Sequence, residues 1–435
     1  MLDIQKRLTN SFYAIMSLPS TAMGFALSIQ ISALSWILNT RYNLDIHQIG
    51  LVWAAGPLAG IFGQVIIGLI SDKVWFWGGR RRPFIIVGGI LAALMLLALP
   101  NIDVIRNGLG MRSLLMVAVG VALTLDLAIN ISFNPTRSII ADVTPEGNAR
   151  TKGYTWMQSI SGFFGVAAYV IGAVFGNYVL IYVGVLLVFA FSALPVLFIT
   201  ESKEQTSHER PNTAQSRRKQ KKKTDWVELF KIYIAHGFSW IGVQTMFVYI
   251  IAYIQQKLIP PTASGAEIAT QSGQIIAISF AVLNTVGFLL PAPILEPIAE
   301  KIGRVRTHMG CVAIMSVGYF GIVLAGTSSF AIYALMAIVG VGWAAIVSLP
   351  FAIMTEKVDK TRTGFFMGIF NLSVVLPQLV VSLFLGSVIQ GVEDKSLIFL
   401  ISGVSLAISA VLWPLVKENR VGAVDSVPAG TPSVL

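Results

Sequence analysis

Twelve continuous apolar runs, each about 18 residues or longer, dominate this 435-residue chain, and no water-soluble core can bury so many. They lie near residues 11–38, 48–71, 84–101, 113–142, 153–175, 178–200, 227–257, 267–294, 307–326, 329–355, 363–389 and 395–416. About 20 apolar residues in a helix span the hydrocarbon layer of a bilayer. A transmembrane barrel is excluded, because its strands need only about 10 residues and alternate apolar with polar positions. The runs therefore predict an all-α membrane protein of twelve transmembrane helices. Composition agrees: 55% of the residues are hydrophobic and 12% charged, against roughly 25% charged in a soluble domain. The start, Met1 to Asn10 with Lys6 and Arg7, resembles a signal peptide, but the following stretch is too long and has no convincing cleavage site. It reads as the retained first span.

The net charge of +10 belongs to the loops rather than to a nucleic-acid partner. One set of loops holds 24 Lys and Arg residues and the other only five, Arg41, Arg106, Arg112, Lys257 and Lys395. The positive-inside rule then predicts both termini in the cytoplasm of a protein of the cell (inner) membrane. The single cysteine, Cys311, excludes a disulfide framework and a thiolate metal cluster, both of which need at least a pair. With no Walker loop, no H-E-x-x-H and no nucleophile elbow, ATP-driven pumping and membrane hydrolysis lose support. No enzyme activity and no cofactor is expected, only a coupling ion.

The long polar stretch from Glu201 to Trp226, with its basic run Arg217 to Lys223, divides the chain. It predicts a six-helix bundle over 1–200, a cytoplasmic linker over 201–226, a second bundle over 227–416 and a tail over 417–435. Short patterns recur in matching loops. Ser71-Asp72-Lys73 and Gly79-Arg80-Arg81-Arg82 after span 2 parallel Glu300-Lys301-Ile302-Gly303-Arg304 after span 8. Pro135 leading to Arg150-Thr151-Lys152-Gly153 parallels Pro350 leading to Arg362-Thr363-Gly364. Two pseudo-symmetric halves are the architecture of a transporter with a central site.

Span 4 carries the informative charges, since an ionisable group within a membrane segment marks function by default. Asp126 and Arg137 are 11 positions apart, which at 100° per residue brings both to one helical face. Asn130 and Asn134 lie between them near that face. A carboxylate taken out of water favours its neutral form, so Asp126 is the expected proton carrier. Arg137 offers a rigid fork of donors suited to paired hydroxyls and is the expected substrate anchor. About 16 Å of helix separates the two backbones, too far for a permanent direct pair. Asp142 lies about 140° round the helix from Arg137 and belongs to a gating latch with Asp72, Lys73, Arg80 and Arg81. Glu300 and Arg304 are their counterparts in the second half.

The loop from Gly68 to Pro83, G-x-x-S-D-K followed by G-G-R-R-R-P, resembles the signature of the major facilitator superfamily. Trp53-Ala54-Ala55-Gly56-Pro57-Leu58-Ala59-Gly60 with Gln64, Asp126-Leu127-Ala128 with Pro135-x-Arg137, and Gly368 to Gln378 narrow the likeness. Together they resemble the glycoside-pentoside-hexuronide cation symporters, on the sucrose-transporter branch. The resemblance covers nearly the whole chain and implies proton-driven uptake of a disaccharide: sucrose, maltose or another α-glucoside. One departure stands out: plant sucrose transporters carry an acid at the end of span 7, where this chain has Gln255-Gln256.

A sugar needs aromatic platforms and neutral hydrogen-bonding groups. Gln30, Trp156, Gln158, Asn284, Asn371 and Gln378 join Asn130, Asn134 and Arg137 as candidate ligands, and His47 in the outer loop before span 2 has a possible role there. Sodium coupling is the alternative, but span 2 has no acid before Asp72. A non-transporting sugar sensor would usually append a signalling tail, and Gly422 to Leu435 is short and featureless. The expected partners are a small sugar and the lipid bilayer, with the protein acting as a monomer.

Overall fold

The computed structural model describes residues 3–61, 74–145, 148–201, 224–358 and 363–418. Asp72, Lys73, Gln64, most of the linker and most of the tail lie outside the described residues. Among the described residues eleven helices are long and apolar enough to cross a membrane, and a shorter apolar helix, Ile46–Ile61, is the described part of span 2. Among the described residues there is no β-strand, only an isolated bridge between Phe76 and Gly79.

Span 1 is Asn10–Thr40, capped by the Thr9 hydroxyl, which accepts from the Phe12 N–H. Span 3 (Arg82–Gly108) runs through a single 3₁₀ turn at Leu99–Asn101, beyond the predicted end near 101. Spans 4, 5, 6 and 7 are Leu114–Val143, Asn148–Phe175, Asn177–Phe198 and Trp226–Lys257. Span 8 (Gly265–Leu289) continues through a π turn at Pro291–Leu295 into Glu296–Ile302, also longer than expected. Spans 9 and 10 are Arg304–Ala325 and Ser329–Thr355. Span 11 (Thr363–Val380) passes through a second π turn, Val381–Leu385, into Gly386–Gly391. Span 12 is Leu397–Leu412, closed by the turn Trp413–Leu415.

Within the first half, span 1 packs on spans 5 and 6, and span 3 on spans 4 and 6. Within the second half, span 7 packs on spans 11 and 12, and span 9 on spans 10 and 12. Spans 1, 2 and 5 meet spans 7, 8 and 11 across the middle.

Both halves are closed by the same polar contacts on the side that carries the linker. Glu201, just past span 6, accepts from the backbone N–H groups of Arg80, Arg81 and Arg82 at 2.8–3.1 Å. It caps span 3, whose own N-cap side chain makes no capping bond. Glu418, just past span 12, likewise accepts from the backbone of Arg304 and Val305 at the start of span 9. Gln5 exchanges two hydrogen bonds with the backbone of Thr200, and Glu228 accepts from the Lys417 N–H at 2.6 Å. Negative charge at a helix N-terminus is favourable, because unpaired N–H groups and the helix dipole meet it there.

A hydrogen bond to a charged group contributes roughly 1.5–3 kcal/mol net of its exchange with water. Glu201→Ala is expected to destabilise the protein by about 1–3 kcal/mol, visible as a lower melting temperature in detergent, with Glu201→Gln losing less. An unchanged melting temperature for the alanine variant would remove Glu201 from the account of stability.

On the opposite, far side the two halves are in contact. The Ser35 hydroxyl donates to the Val248 carbonyl at 2.9 Å and accepts from Trp53 Nε1 at 2.8 Å. Trp36 Nε1 donates to the Ala269 carbonyl at 2.7 Å, and the Gln255 amide donates to Asn39 Oδ1 at 2.8 Å. Gly50 is what lets span 2 come so close. A Cβ there would stand 2.5 Å from both the Ser382 carbonyl oxygen and the Tyr249 hydroxyl. The loop after span 11 is clamped to span 7 by Lys257 and Asp394, 2.9 Å apart. The Ser396 N–H, and after it Lys257, hold the Asp394 carboxyl down to about 2, so this carboxylate stays charged across physiological pH.

Candidate functional site

Span 4 presents its polar stripe as the spacing requires. Asp126 and Asn130 are buried, Asn134 is half-buried and Arg137 is exposed. The Gln30 amide of span 1 donates to Asp126 Oδ2 at 3.0 Å, and the Asn130 amide donates to the Asp126 backbone carbonyl at 2.8 Å. Gly56 of span 2 backs the carboxylate closely: a Cβ there would lie 3.3 Å from Asp126 Oδ2. Among the described residues no cation pairs with Asp126 and no carboxylate pairs with Arg137. The Arg137 guanidinium instead lies over the Phe133 ring, 4.1 Å from its centroid, and the Tyr154 hydroxyl donates to its backbone carbonyl at 3.2 Å. Pro135 is accommodated inside an unbroken helix.

The second half supplies an aromatic and amide cluster. Asn284 of span 8 accepts from Trp343 Nε1 of span 10 at 3.2 Å and donates to the Phe280 carbonyl at 2.9 Å. Trp240 of span 7 packs edge-on against Trp343 and donates its indole N–H to His236 Nε2 at 2.9 Å. The His236 ring in turn stacks on Phe370 of span 11. Asn371 and Gln378 are half-buried and flank Val375, which meets the position of Gly60 on span 2 at 3.3 Å. Their face of span 11 is therefore turned toward the first half.

The two span 5 candidates separate. Gln158 is exposed, one turn from Gly162, where a Cβ would run into Phe288 of span 8; that face looks across to the second half. Trp156 lies about 200° round the helix from Gln158. It lines a groove on the outer flank with Leu18, Thr155, Ser159, Ile160, Phe163 and Phe164. The two candidates thus stand on different faces of span 5, and one small molecule cannot meet both.

Within each half, described bases of the expected latch pair with an acid. Asp142 pairs with Arg80 at 2.9 Å and with Arg81 at 3.1 Å. In the second half Arg304 pairs with Glu356, whereas Glu300 is exposed on the short helix after the π turn. The acid that matches Asp142 is thus Glu356, at the end of the corresponding span 10. His47 joins the far-side contacts. Its backbone N–H donates to Gln390 Oε1 at 3.0 Å, and its Nδ1 lies 3.1 Å from the Ser387 hydroxyl.

Sequence reasoning missed Glu201, Glu356, Glu418, Trp240 and Trp343. A usable signal existed for two of them: Glu201 and Glu418 each follow directly on the last residues of the sixth and twelfth spans.

With its two helical halves and a buried carboxylate on span 4, the chain is a membrane transporter of the Major Facilitator Superfamily. The family model matches residues 17–258 and 245–432, so the chain belongs to that superfamily. Among curated relatives, the chain is 23% identical over 429 residues to the sucrose transport protein SUC4 of Arabidopsis thaliana, covering 85% of this chain and 82% of that one. It is 28% identical over 174 residues to the general alpha-glucoside permease of Schizosaccharomyces pombe, covering 36% of this chain and 31% of the permease. Among solved structures, the xylose transporter XylE of E. coli in its inward-open conformation superposes with a TM-score of 0.69 at 13% identity, covering 95% of this chain and 97% of that one. The nucleoside transporter NupG does so with a TM-score of 0.69 at 13% identity, covering 94% of this chain and 99% of that one. The solved structures show the fold.

Proposed function

We propose that this protein imports a disaccharide, sucrose, maltose or another α-glucoside, together with a proton, by alternating access. The observation that carries the reading is Asp126: a buried carboxylate within a membrane span whose side-chain partner is a neutral amide. A fixed counter-charge would hold it ionised permanently, whereas an amide leaves it able to gain and lose a proton. Arg137, exposed on the same helical face, supplies planar donors for sugar hydroxyls. The curated sucrose and α-glucoside relatives support the substrate class. We place both termini on the cytoplasmic face of the cell (inner) membrane and take the monomer as the working unit.

The test is uptake into proteoliposomes with a radiolabelled panel of sucrose, maltose, trehalose and melibiose. Accumulation of the right sugar is expected to collapse with a protonophore and to ignore replacement of sodium by potassium. Sodium-dependent accumulation that survives the protonophore would favour the sodium-coupled reading instead.

Alternating access requires the far-side contacts to part in each cycle. His47 and Gly386 are neighbours there, with a Cβ on Gly386 standing 3.0 Å from the His47 Cα. In a Gly386→Cys, His47→Cys double variant, oxidation is expected to arrest transport and a reductant to restore it. Full activity of the cross-linked protein would show that the halves need not separate on this side.

A further inference from the structure

We propose that the outer groove of span 5 is a binding site for one anionic glycerophospholipid, its headgroup at Lys152 and an acyl chain lying along Ile160, Phe163 and Phe164. The groove has a volume of about 490 Å³ and takes Leu18 of span 1 into its lining, a volume within the roughly 300–1,000 Å³ range of ligand-sized clefts. Its direction follows from the helix. Ser161 is 3.1 Å from the Thr21 hydroxyl of span 1, Gly162 faces span 8, and the Phe164 ring meets Phe191 of span 6. The remaining arc, which holds residues 152, 155, 156, 159 and 163, is left to the bilayer, and Phe163 is 64% exposed on it.

The occupant is argued from charge and from depth. Lys152 stands one turn before Trp156 at the linker-side end of the groove, exposed, with its ammonium 5.2 Å from the Tyr13 ring centroid. A cation held over an aromatic ring beside a tryptophan is the arrangement expected at a membrane interface. Ile4 and Leu8 pack on the same buried cluster as Tyr13, Tyr154 and Trp156, which brings exposed Arg7 to this corner. Among the described residues no carboxylate pairs with Lys152 or Arg7. No lining residue is acidic, and Ser159, two turns beyond Lys152 along the helix, is in the lining. A zwitterionic headgroup would bring a second cation to Lys152. A net negative one would not.

The test uses the full chain in vesicles that contain lipids with brominated acyl chains, which quench indole fluorescence on contact. Subtracting the Trp156→Phe protein isolates the Trp156 signal. Brominated phosphatidylglycerol is expected to quench it at several-fold lower mole fraction than brominated phosphatidylcholine. Lys152→Gln should remove about fivefold of that preference, given roughly 1 kcal/mol per basic residue near an anionic headgroup. Ile160→Phe, which adds bulk to the lining of the groove, should weaken quenching by both lipids. Equal quenching by the two lipids in the wild type would reduce the groove to ordinary bilayer contact and overturn the proposal. So would a preference that survives in the combined Lys152→Gln, Arg7→Gln protein. None of these readouts involves transport, so they succeed or fail apart from the proposed sugar uptake.

Discussion

Asp126→Asn is expected to abolish uphill sugar accumulation while leaving sugar binding and sugar-for-sugar exchange in place. Asparagine keeps the shape of the protonated acid and cannot release a proton. The Gln30 amide, which now donates to Asp126 Oδ2 at 3.0 Å, can still pair with an amide oxygen there, so the local packing against Gly56 is preserved. Counterflow assays in proteoliposomes should therefore show exchange that barely depends on pH, beside an accumulation ratio that falls to one. If the asparagine variant still concentrates sugar against its gradient, Asp126 has no part in coupling. Attention would then pass to His47 and Asp142, although Asp142 already carries two arginine partners.

Arg137→Lys should weaken sugar binding by about tenfold to a hundredfold, because lost hydrogen bonds to a charged group cost roughly 1.5–3 kcal/mol. Lysine conserves the positive charge but not the planar fork, and its compact ammonium does not stack on the Phe133 ring as a guanidinium does. The charge alone would leave affinity unchanged. Equilibrium binding measured by tryptophan fluorescence or calorimetry separates the two, and wild-type affinity in the lysine variant would assign Arg137 to packing or charge balance.

Much of the fold is legible from local rules. Apolar run length sets the spans, and 100° per residue sets the stripe on span 4, where Asp126 and Asn130 share a buried environment and the 11-residue gap leaves Asp126 and Arg137 unpaired. The same arithmetic separates Trp156 from Gln158, but composition had joined them because both are amphipathic. Span 3 reaches Gly108 and span 8 reaches Ile302 because a 3₁₀ turn and a π turn carry each helix through polar residues that end the apolar run. What local rules cannot supply is the partner of a side chain on a distant element. Glu201 meets residues 119 to 121 positions away. Gln255 reaches across 216 positions to Asn39, where a family comparison draws attention only to a missing acid.

The matching acids at the ends of spans 6 and 12 bear on how such a chain is made. Each fastens the last helix of its half to the third one, using residues from that half alone. A newly synthesised first half can thus complete its own closure once Glu201 has been added, before span 7 exists. The second half repeats the operation with Glu418. Assembly then becomes the meeting of two finished bundles, and a break anywhere in 202–223 would sever neither fastening.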